Sequence, residues 1–349
     1  MGLFIHEYFS SGAFPGELRH SSLAPEGLAM LAALLEDFAG CSIGRIATSL
    51  DRRLAADAHE RSLAAWADIH WAESAEHESV LFSNLAAEGE ATFVIAPESD
   101  GILLARRRQV DDAGGRFLGH SADAIQLCSD KLAFCEHLAR HELPTVPTEL
   151  FDSLATGSTF HFPLVVKPRD GAGSQDTFLI CDERDLRRHR EILRTTFGGP
   201  REAIMQPYVA GRSLSVAAIV DSVSGVVQVF PAGQQHQSDD GRFHYRGGAI
   251  PARLPASVDV AGLVQRVCRS INGLSGYIGF DLILPSASPQ PLFLEANPRL
   301  TTSYLGYRAL AAENLAARIL HPARVDNPIA WKAETIVFTA DGRLRRAIQ

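Results

Sequence analysis

Two stretches near the carboxyl-terminal end, Ile278-Gly-Phe-Asp-Leu-Ile-Leu284 and Leu292-Phe-Leu-Glu-Ala-Asn297, decide how the fold is interpreted. Both have the character of strands, in which side chains two residues apart lie on one face. The connection Pro285–Gln290 has the length of a hairpin loop, which predicts antiparallel pairing. Asp281 is then expected roughly opposite Glu295.

The predicted hairpin carries three oxygen-bearing side chains, those of Asp281, Glu295 and Asn297. Two carboxylates directly opposite each other repel, and a bound cation would remove that repulsion. A hard cation such as Mg²⁺ takes a few carboxylates together with phosphate oxygens, so the hairpin predicts a site for Mg²⁺ or Mn²⁺. The alternative is a pair of solvated carboxylates on an exposed sheet face. Arg299, two residues after Asn297, adds a hydrogen-bond donor beside the cluster.

The composition restricts the class of protein. The chain has 349 residues, of which 46% are hydrophobic and 21% charged, with a formal net charge of −8. This acidic balance argues against nucleic acid or an anionic membrane as a partner. There is no run of eighteen apolar residues, and the five cysteines form no C-x-x-C pair. We therefore expect a cytoplasmic protein in a reducing compartment.

Strand-like and helix-like segments alternate over roughly the first 120 residues, which predicts a small α/β domain. After Gly119, a helix is expected to begin at Ser129-Asp-Lys131. Several short strand-like segments separated by turns follow it. One more strand is expected near the end of the chain, at Glu334–Phe338.

Lys167 is one of only three lysines in a chain with thirty arginines, and it ends the predicted strand Pro163–Lys167. The loop Asp170-Gly-Ala-Gly-Ser174 follows at once. Small residues let backbone N–H groups approach phosphate oxygens, and a lysine supplies a point charge there. The G-x-x-x-x-G-K-[ST] pattern is absent, so an ordinary hairpin remains an alternative. Met205-Gln-Pro-Tyr-Val209 is either a slot for a planar base or a plain connection between domains.

The order of these segments resembles the ATP-grasp superfamily over residues 120–320. The resemblance implies an α/β (α+β) fold. An N-terminal α/β pre-ATP-grasp domain would precede a two-lobed ATP-grasp fold that binds ATP between antiparallel sheets. The expected divisions are a pre-ATP-grasp domain (1–120), a small lobe (121–205), a large lobe with the metal site (206–325) and a C-terminal appendage (326–349).

The resemblance also assigns roles to residues. In the family two lysines contact the nucleotide phosphates, a small-residue loop covers them, and a hinge contacts adenine. The implied nucleotide-binding residues are Lys131, Lys167, Gly171, Ala172, Gly173, Ser174, Gln206, Tyr208, Val209 and Ser213. The implied metal ligands are Asp281, Glu295 and Asn297, and Arg299 would lie near the transferred phosphoryl group.

The sequence departs from the family pattern at two positions. Many members have a ribose-binding Glu where this chain has Ser213, which leaves the ribose contacts unassigned. The D-alanine ligase branch has an Arg where this chain has Gly279, which argues against that branch. Asn297-Pro-Arg-Leu-Thr-Thr-Ser-Tyr304 and the early His6-Glu-Tyr8 look like the branch that contains the tyramine–glutamate ligases of methanofuran-type cofactor synthesis.

Further residues are candidates for contact with a substrate. The segment Arg242–Ala249 is predicted to be either a mobile flap, with Gly247 and Gly248 as hinge, or a plain surface loop. As a flap it would bring Arg246 (catalytic) or Tyr245 to the substrate. The other candidates, at strand ends and loops of the first domain, are Glu7, Ser11, Gly12 and Glu98. For Glu98 the alternative is an exposed carboxylate at a strand end.

The reaction that the resemblance implies joins a small-molecule carboxylate to an amine. The carboxylate attacks the γ-phosphate of ATP to give an acyl phosphate and ADP, and the amine then displaces phosphate to form an amide. Two other classes stay open: a small-molecule kinase on the same scaffold, and a nucleotide-binding module without catalysis. The apolar helix around residues 28–38 leaves room for a homodimer.

Overall fold

The structure is a computed structural model that describes residues 2–16, 23–60, 62–151, 160–171, 173–197, 202–321 and 327–347. The helices are α1 (Leu23–Ala39), α2 (Ala55–Glu60), α3 (Ala75–Glu88), α4 (Ile102–Asp112), α5 (Ala122–Ser129), α6 (Lys131–Arg140), α7 (Glu183–Phe197), α8 (Val260–Ser270), α9 (Ser303–Leu310) and α10 (Leu315–Leu320). The strands are β1 (Leu3–Glu7), β2 (Ile46–Asp51), β3 (Asp68–Ala72), β4 (Ala91–Ile95), β5 (Glu149–Leu150), β6 (Leu164–Pro168), β7 (Phe178–Ile180), β8 (Ala203–Pro207), β9 (Gly211–Val220), β10 (Val227–Val229), β11 (Gly233–Gln237), β12 (Tyr245–Ile250), β13 (Gly276–Pro285), β14 (Leu292–Asn297), β15 (Thr335–Phe338) and β16 (Leu344–Ala347).

The first domain is built on a parallel sheet with the strand order β3-β2-β1-β4. Helix α1 lies against it and buries Leu28, Leu31, Leu35 and Phe38. The helix also packs against α9 and α10 of the later part of the chain. The side chains on which the expectation of a homodimer rested are therefore covered within the chain itself.

His120 joins the end of the first domain to the start of β13. Its Nδ1 accepts a hydrogen bond from the backbone N–H of Ser275 at 2.9 Å. Its Nε2 lies 2.9 Å from the carbonyl oxygen of Tyr277 and so carries the proton. The ring is buried, and burial lowers its pKa from 6.5 to about 4. The folded chain therefore needs a neutral His120.

We expect His120 to make stability depend on pH. The folded pKa lies below the unfolded one, so its contribution is complete above pH 6.5 and is lost as the pH falls towards 4. The loss amounts to about 3 kcal/mol. In urea unfolding, His120→Gln should be less stable than the parent at pH 7, and the difference should shrink at pH 5. A difference that stays constant over this range would contradict the assignment.

Two antiparallel sheets follow the first domain. The smaller has the order β5-β8-β6-β7, and the larger has β14-β13-β9-β11-β12-β15-β16 with β10 paired to β9. Leu164, Val166 and Phe178 help to form a core under the small sheet. The cavity described below lies between these two sheets. The predicted boundary between the lobes at 205 falls inside β8, so the small sheet continues to Pro207 and the large sheet begins at Gly211.

The C-terminal segment is part of the large sheet. Where the sequence predicts an appendage with one strand, the structure has β15 and β16. Strand β15 pairs with β12, with Ile336 opposite Ile250, and both side chains are fully buried. The prediction of an appendage is therefore wrong, because these buried contacts make the segment continuous with the core.

Most of the segment Arg242–Ala249, predicted to be a flap or a surface loop, belongs to strand β12, which begins at Tyr245 and lies between β11 and β15. Gly247 and Gly248 are buried in this strand. A Cβ atom on Gly247, which has a φ of +115°, would overlap the carbonyl oxygen of Phe338, and one on Gly248 would lie 2.6 Å from the carbonyl oxygen of Gln234. Glycine is required at both positions because the backbone of the neighbouring strands comes too close for a side chain. The prediction of a hinge is therefore wrong.

We expect Gly247→Ala to destabilise the protein by about 3 kcal/mol, since it adds a steric overlap to a strained φ. Gly225 is the matched control, because it has a φ of +70° and open space around its Cβ position. Gly225→Ala should cost only about 1 kcal/mol. Thermal unfolding of both variants tests this, and equal shifts in midpoint would mean that β12 is not packed as described.

None of the helices in the described part of the chain is both long enough and apolar enough to cross a bilayer.

Candidate active site

A cavity of about 460 Å³ lies between the small and the large sheet. The small sheet contributes Val165 and Lys167 to its wall, and the large sheet contributes Asp281 and Ile283 from β13. Most of the predicted site residues line it: Lys131, Lys167, Gly171, Gly173, Ser174, Gln206, Tyr208, Val209, Ser213, Tyr245, Asp281, Glu295, Asn297 and Arg299. The two antiparallel lobes thus bring these residues into one site.

The carboxylate hairpin has the register that the sequence predicts. Strands β13 and β14 pair antiparallel, and Asp281 lies directly opposite Glu295. Gln235 Nε2 donates a hydrogen bond to Asp281 Oδ1 at 2.7 Å, and Asn297 Nδ2 donates one to Oδ2 at 3.3 Å. These two amides fix the orientation of the Asp281 carboxylate.

Two lysines from different elements converge on Glu295. Its Oε2 lies 3.6 Å from Lys131 Nζ and 3.5 Å from Lys167 Nζ. Lys131 begins α6, and Lys167 belongs to β6 of the small sheet. Burial alone would raise the pKa of Glu295, but the two lysines lower it to about 2. The carboxylate is therefore ionised at neutral pH.

Asp281 has the opposite shift, because burial and the neighbouring Glu295 charge raise its pKa to about 8. A divalent cation between the two carboxylates would offset both causes, so this donor set fits a metal ion. Within the described residues, no group of three or more His, Cys, Asp or Glu side chains forms a metal site. The hairpin offers two carboxylates and one amide, so the remaining ligands would be phosphate oxygens or water.

Two hydrogen bonds hold the beginning of the small-residue loop, at Asp170 and Gly171, against neighbouring elements. Lys131 Nζ donates a hydrogen bond to the carbonyl oxygen of Gly171 at 2.9 Å. The Asp170 carboxylate accepts one from the backbone N–H of Asp100 in the first domain, also at short range (2.7 Å). Gly173 has a φ of +71°, and Ser174 follows with 57°. Ala172 lies outside the described residues.

The segment Gln206–Val209, which the family resemblance assigns as the adenine-contacting hinge, leads from the small sheet to the large sheet and lines the cavity. The Gln206 side chain turns towards Thr148, to which its Nε2 donates a hydrogen bond at 2.9 Å. Tyr208 stacks on Phe243, with ring centroids 6.4 Å apart and planes at 27°. Nearby, Ser213 Oγ donates a hydrogen bond to Gln237 Oε1 at 3.0 Å. These two polar side chains line the cavity next to the hinge.

Arg299 lies at the cavity wall and forms a buried ion pair with Glu98, with Nε 3.0 Å from Oε1. The sequence predicts Glu98 to be a substrate ligand or an exposed carboxylate. It is neither free nor exposed in the structure, where its side chain is only 3% exposed. Although burial opposes the charged form, the Glu98 and Glu26 carboxylates raise the pKa of Arg299.

Four other candidates lie away from this cavity. Glu7 is buried and accepts hydrogen bonds from the backbone N–H groups of Phe9 and Ser10. Burial raises its pKa to about 7. Ser11 and Gly12 belong to the same buried turn, and none of the three lines the cavity. Arg246 is exposed and absent from the wall, although its neighbour Tyr245 is part of it.

Sequence reasoning missed several polar residues of the wall. Gln235 and Gln237 lie two apart on β11, a spacing that could have indicated one face of a polar strand. Glu26 in α1 looks in the sequence like an ordinary acidic residue of a first helical turn. Thr302 and Ser303 belong to the Asn297–Tyr304 motif, and nothing in that motif marks them as part of the wall. In the sequence of the first domain, nothing distinguishes Glu26 from its acidic neighbours.

The fold and this site define the class of protein, and family models agree with them. A model for the ATP-grasp domain matches residues 128–303, just over half of the chain. A model for the pre ATP-grasp 3 domain matches residues 44–125. The chain therefore belongs to the ATP-grasp family, and the predicted fold class is confirmed.

Individual relatives narrow the assignment. The tyramine–L-glutamate ligase of Methanocaldococcus fervens is 26% identical over 246 residues, which cover 70% of this chain and 69% of that protein. A D-alanine–D-alanine ligase of Francisella tularensis subsp. novicida is 26% identical over 193 residues, which cover 53% of this chain and 62% of that protein. The chain is an ATP-dependent carbon–nitrogen ligase, and it is similar to the tyramine–glutamate ligase branch.

A solved structure supports the fold over nearly the whole chain. An ATP-grasp superfamily protein from Archaeoglobus fulgidus superposes with a TM-score of 0.69 at 22% identity, covering 97% of this chain and 92% of that one. At Gly279, a Cβ atom would overlap the Thr301 side chain, so a larger residue there would require Thr301 to move.

Proposed function

We propose that the protein joins a small carboxylic acid to an amine through an acyl phosphate, with release of ADP and phosphate. The observation that carries this proposal is the carboxylate pair Asp281 and Glu295, with two lysines converging on Glu295 inside the cavity. Carboxylates and lysines close together in one cavity suit a nucleoside triphosphate with its divalent cation.

The nucleotide would lie with its base at the hinge and its phosphates at the hairpin. Val165, Ile283 and Leu294 offer apolar contacts to a planar base. Ser213 and Gln237, which are hydrogen-bonded to each other and line the cavity, would be the polar partners of the ribose. Lys131 and Lys167 would turn from Glu295 to the phosphates, and the loop from Gly171 to Ser174 would cover them.

The metal would be Mg²⁺ or Mn²⁺, held by Asp281, Glu295 and Asn297. When bound, it supplies charge neutralisation for the phosphate oxygens. The chain's own contribution is to keep Glu295 ionised through its two lysines and to orient Asp281 through Gln235.

In the first step an oxygen of the acid would attack the γ-phosphorus, and the bond from that phosphorus to the bridging oxygen of ADP would break. Arg299 lies where its guanidinium can bind the acid carboxylate or the transferred phosphoryl group. Glu98 holds this guanidinium in place through two oxygens at 3.0 and 3.1 Å. Glu98 is thus a positioning residue.

In the second step the amine nitrogen would attack the acyl carbon. The carbon–oxygen bond to the phosphate breaks, phosphate leaves with the bonding electrons, and the nitrogen gives up a proton. The similarity to tyramine–L-glutamate ligases supports L-glutamate as the acid and tyramine or a similar amine as the nucleophile.

The test is ADP release over a matrix of acids and amines with Mg²⁺ or Mn²⁺, including L-glutamate with tyramine. We expect ADP only when an acid and an amine are both present. Full turnover with one substrate alone would replace the ligase proposal by a kinase. No turnover with any pair, while ATP still binds, would contradict the substrates proposed here.

A further inference from the structure

Glu26 reaches the active-site cavity from the first domain. It lies in the first turn of α1, and its carboxylate accepts a hydrogen bond from Thr302 Oγ1. Both residues line the cavity together with Arg299. Glu26 therefore belongs to the end of the cavity where the acid and the amine would meet, away from the hinge at Tyr208.

The position of Glu26 is fixed by contacts of helix α1 near both of its ends. The next residue, Gly27, lies over the Glu7 carboxylate, and a Cβ atom there would overlap it. At the far end of α1, the Asp37 carboxylate accepts hydrogen bonds from Tyr304 Oη and Arg308 Nη2, each at 2.7 Å. Helix α1 is thus tied to the helix that follows Thr302, so Glu26 is held at a set distance from Arg299.

The cations of the cavity are paired with other carboxylates, although the Arg299 guanidinium also lies near enough to Glu26 for the two charges to attract each other. Glu295 has two lysines within 3.6 Å, and Arg299 is already paired with Glu98 at 3.0 Å. Among the residues that the structure describes, Glu26 forms no ion pair and has the Thr302 hydroxyl as its hydrogen-bond donor. A carboxylate removed from water is stable when a cationic group lies against it.

Besides Arg299, the cavity wall near Glu26 carries several hydroxyl groups, including that of Thr302. Ser303 Oγ lies 3.1 Å from Ser215 Oγ, and Tyr245 also lines this end. Such a lining suits a small polar molecule better than an aromatic one, since hydroxyl groups can both donate and accept hydrogen bonds. A ligand with an ammonium group and a carboxylate could then bind Glu26 with one group and Arg299 with the other.

We infer that Glu26 binds a primary ammonium group of a substrate and thereby sets the preference for an amino-bearing substrate over its deamino analogue. The inference rests on the proposed function. The ammonium could belong to an α-amino acid that donates the acyl group or to the amine that accepts it. Both have the same chemistry, and the experiment separates them.

The experiment compares matched acids: L-glutamate with glutarate, L-aspartate with succinate, and L-alanine with propionate. Hydroxylamine serves as an uncharged nucleophile that traps the acyl phosphate as a hydroxamate, and tyramine serves as the charged amine. The variants are Glu26→Gln, which removes the charge, and Glu26→Asp, which keeps it. Glu36→Gln is the matched control, because Glu36 lies on the same helix and pairs with Arg308 outside the cavity.

If the acid supplies the ammonium, Glu26→Gln should raise the KM of the amino acid by about 10- to 100-fold with either nucleophile. The preference over the deamino acid should disappear, and the KM for ATP should stay within about twofold. If the amine supplies it, only the KM of tyramine should rise, and the hydroxylamine reaction should be unchanged. Glu26→Asp should keep part of the preference, and Glu36→Gln all of it.

Two results would overturn the inference in different ways. Hydroxamate formation by the parent with equal KM values for Glu26→Gln in every arm would overturn the role of Glu26 alone. No hydroxamate or amide from the parent with any acid would overturn the proposed function, and the inference with it. Circular dichroism of the variants verifies that each is folded, and Glu26→Asp gives the comparison if Glu26→Gln is not.

Discussion

Replacing Glu295 with glutamine should lower kcat by at least about a thousandfold, because this carboxylate serves two purposes at once. It lies opposite Asp281 as one of the proposed metal ligands, and both Lys131 and Lys167 lie close to it. Glutamine keeps the shape and removes the charge. The lysines would then repel each other without a counter-ion, and the metal would lose an ionised ligand. Asp281→Asn should have an effect of similar size.

The measurement is the rate of ADP release at saturating ATP over a range of Mn²⁺ concentrations. Glu202→Gln is the control, since Glu202 is a more exposed carboxylate that pairs with Arg169 outside the main cavity. The control should keep the parent rate. A normal rate from Glu295→Gln or Asp281→Asn would remove the metal assignment, and the hairpin would then be a structural element only.

The hairpin register could be predicted because it depends on local sequence. Asp281 and Glu295 are joined by a short connection, and a strand period of two then determines which side chains share a face. The same reasoning fails for β11, whose Gln235 and Gln237 face the cavity. A strand whose inner face lines a polar site lacks the apolar alternation by which strands are predicted.

Strand β12 escaped prediction for a different reason. Its glycines look like a hinge in the sequence, but Gly248 is required by the Gln234 carbonyl oxygen of the next strand. That contact joins residues whose pairing depends on the whole sheet. Local propensity interprets the two adjacent glycines as a flexible hinge, whereas tertiary packing requires them in a buried strand.

The acidic residues of the first domain show the same limit. Glu7, Glu26 and Glu98 all come from the region where an α/β sheet binds ligands, and the sequence offers no means of ranking them. Only the packing of α1 on the large lobe places Glu26 in the cavity, while Glu98 pairs with Arg299 and Glu7 supports a turn. These roles follow from contacts between domains.

Lys167→Ala should raise the KM for ATP by about 30-fold or more, because the variant loses a charge-assisted contact to the phosphates. Lys167 is a more selective test than Lys131, whose Nζ also holds the carbonyl oxygen of Gly171, so that its removal would release the loop as well. Isothermal titration calorimetry with ATP measures the dissociation constant directly, so it separates weakened ATP binding from a slower chemical step.

Lys332→Ala provides a matched control, since Lys332 is the third lysine of the chain. Its Nζ donates a hydrogen bond to the carbonyl oxygen of Ala309 at 2.9 Å, and neither residue lines the cavity. The control should bind ATP like the parent. Equal affinity for Lys167→Ala would mean that this lysine only neutralises Glu295, and the phosphates would then depend on Lys131 and the loop. A weakened Lys167→Ala beside an unchanged Lys332→Ala would place the phosphates at the carboxylate hairpin.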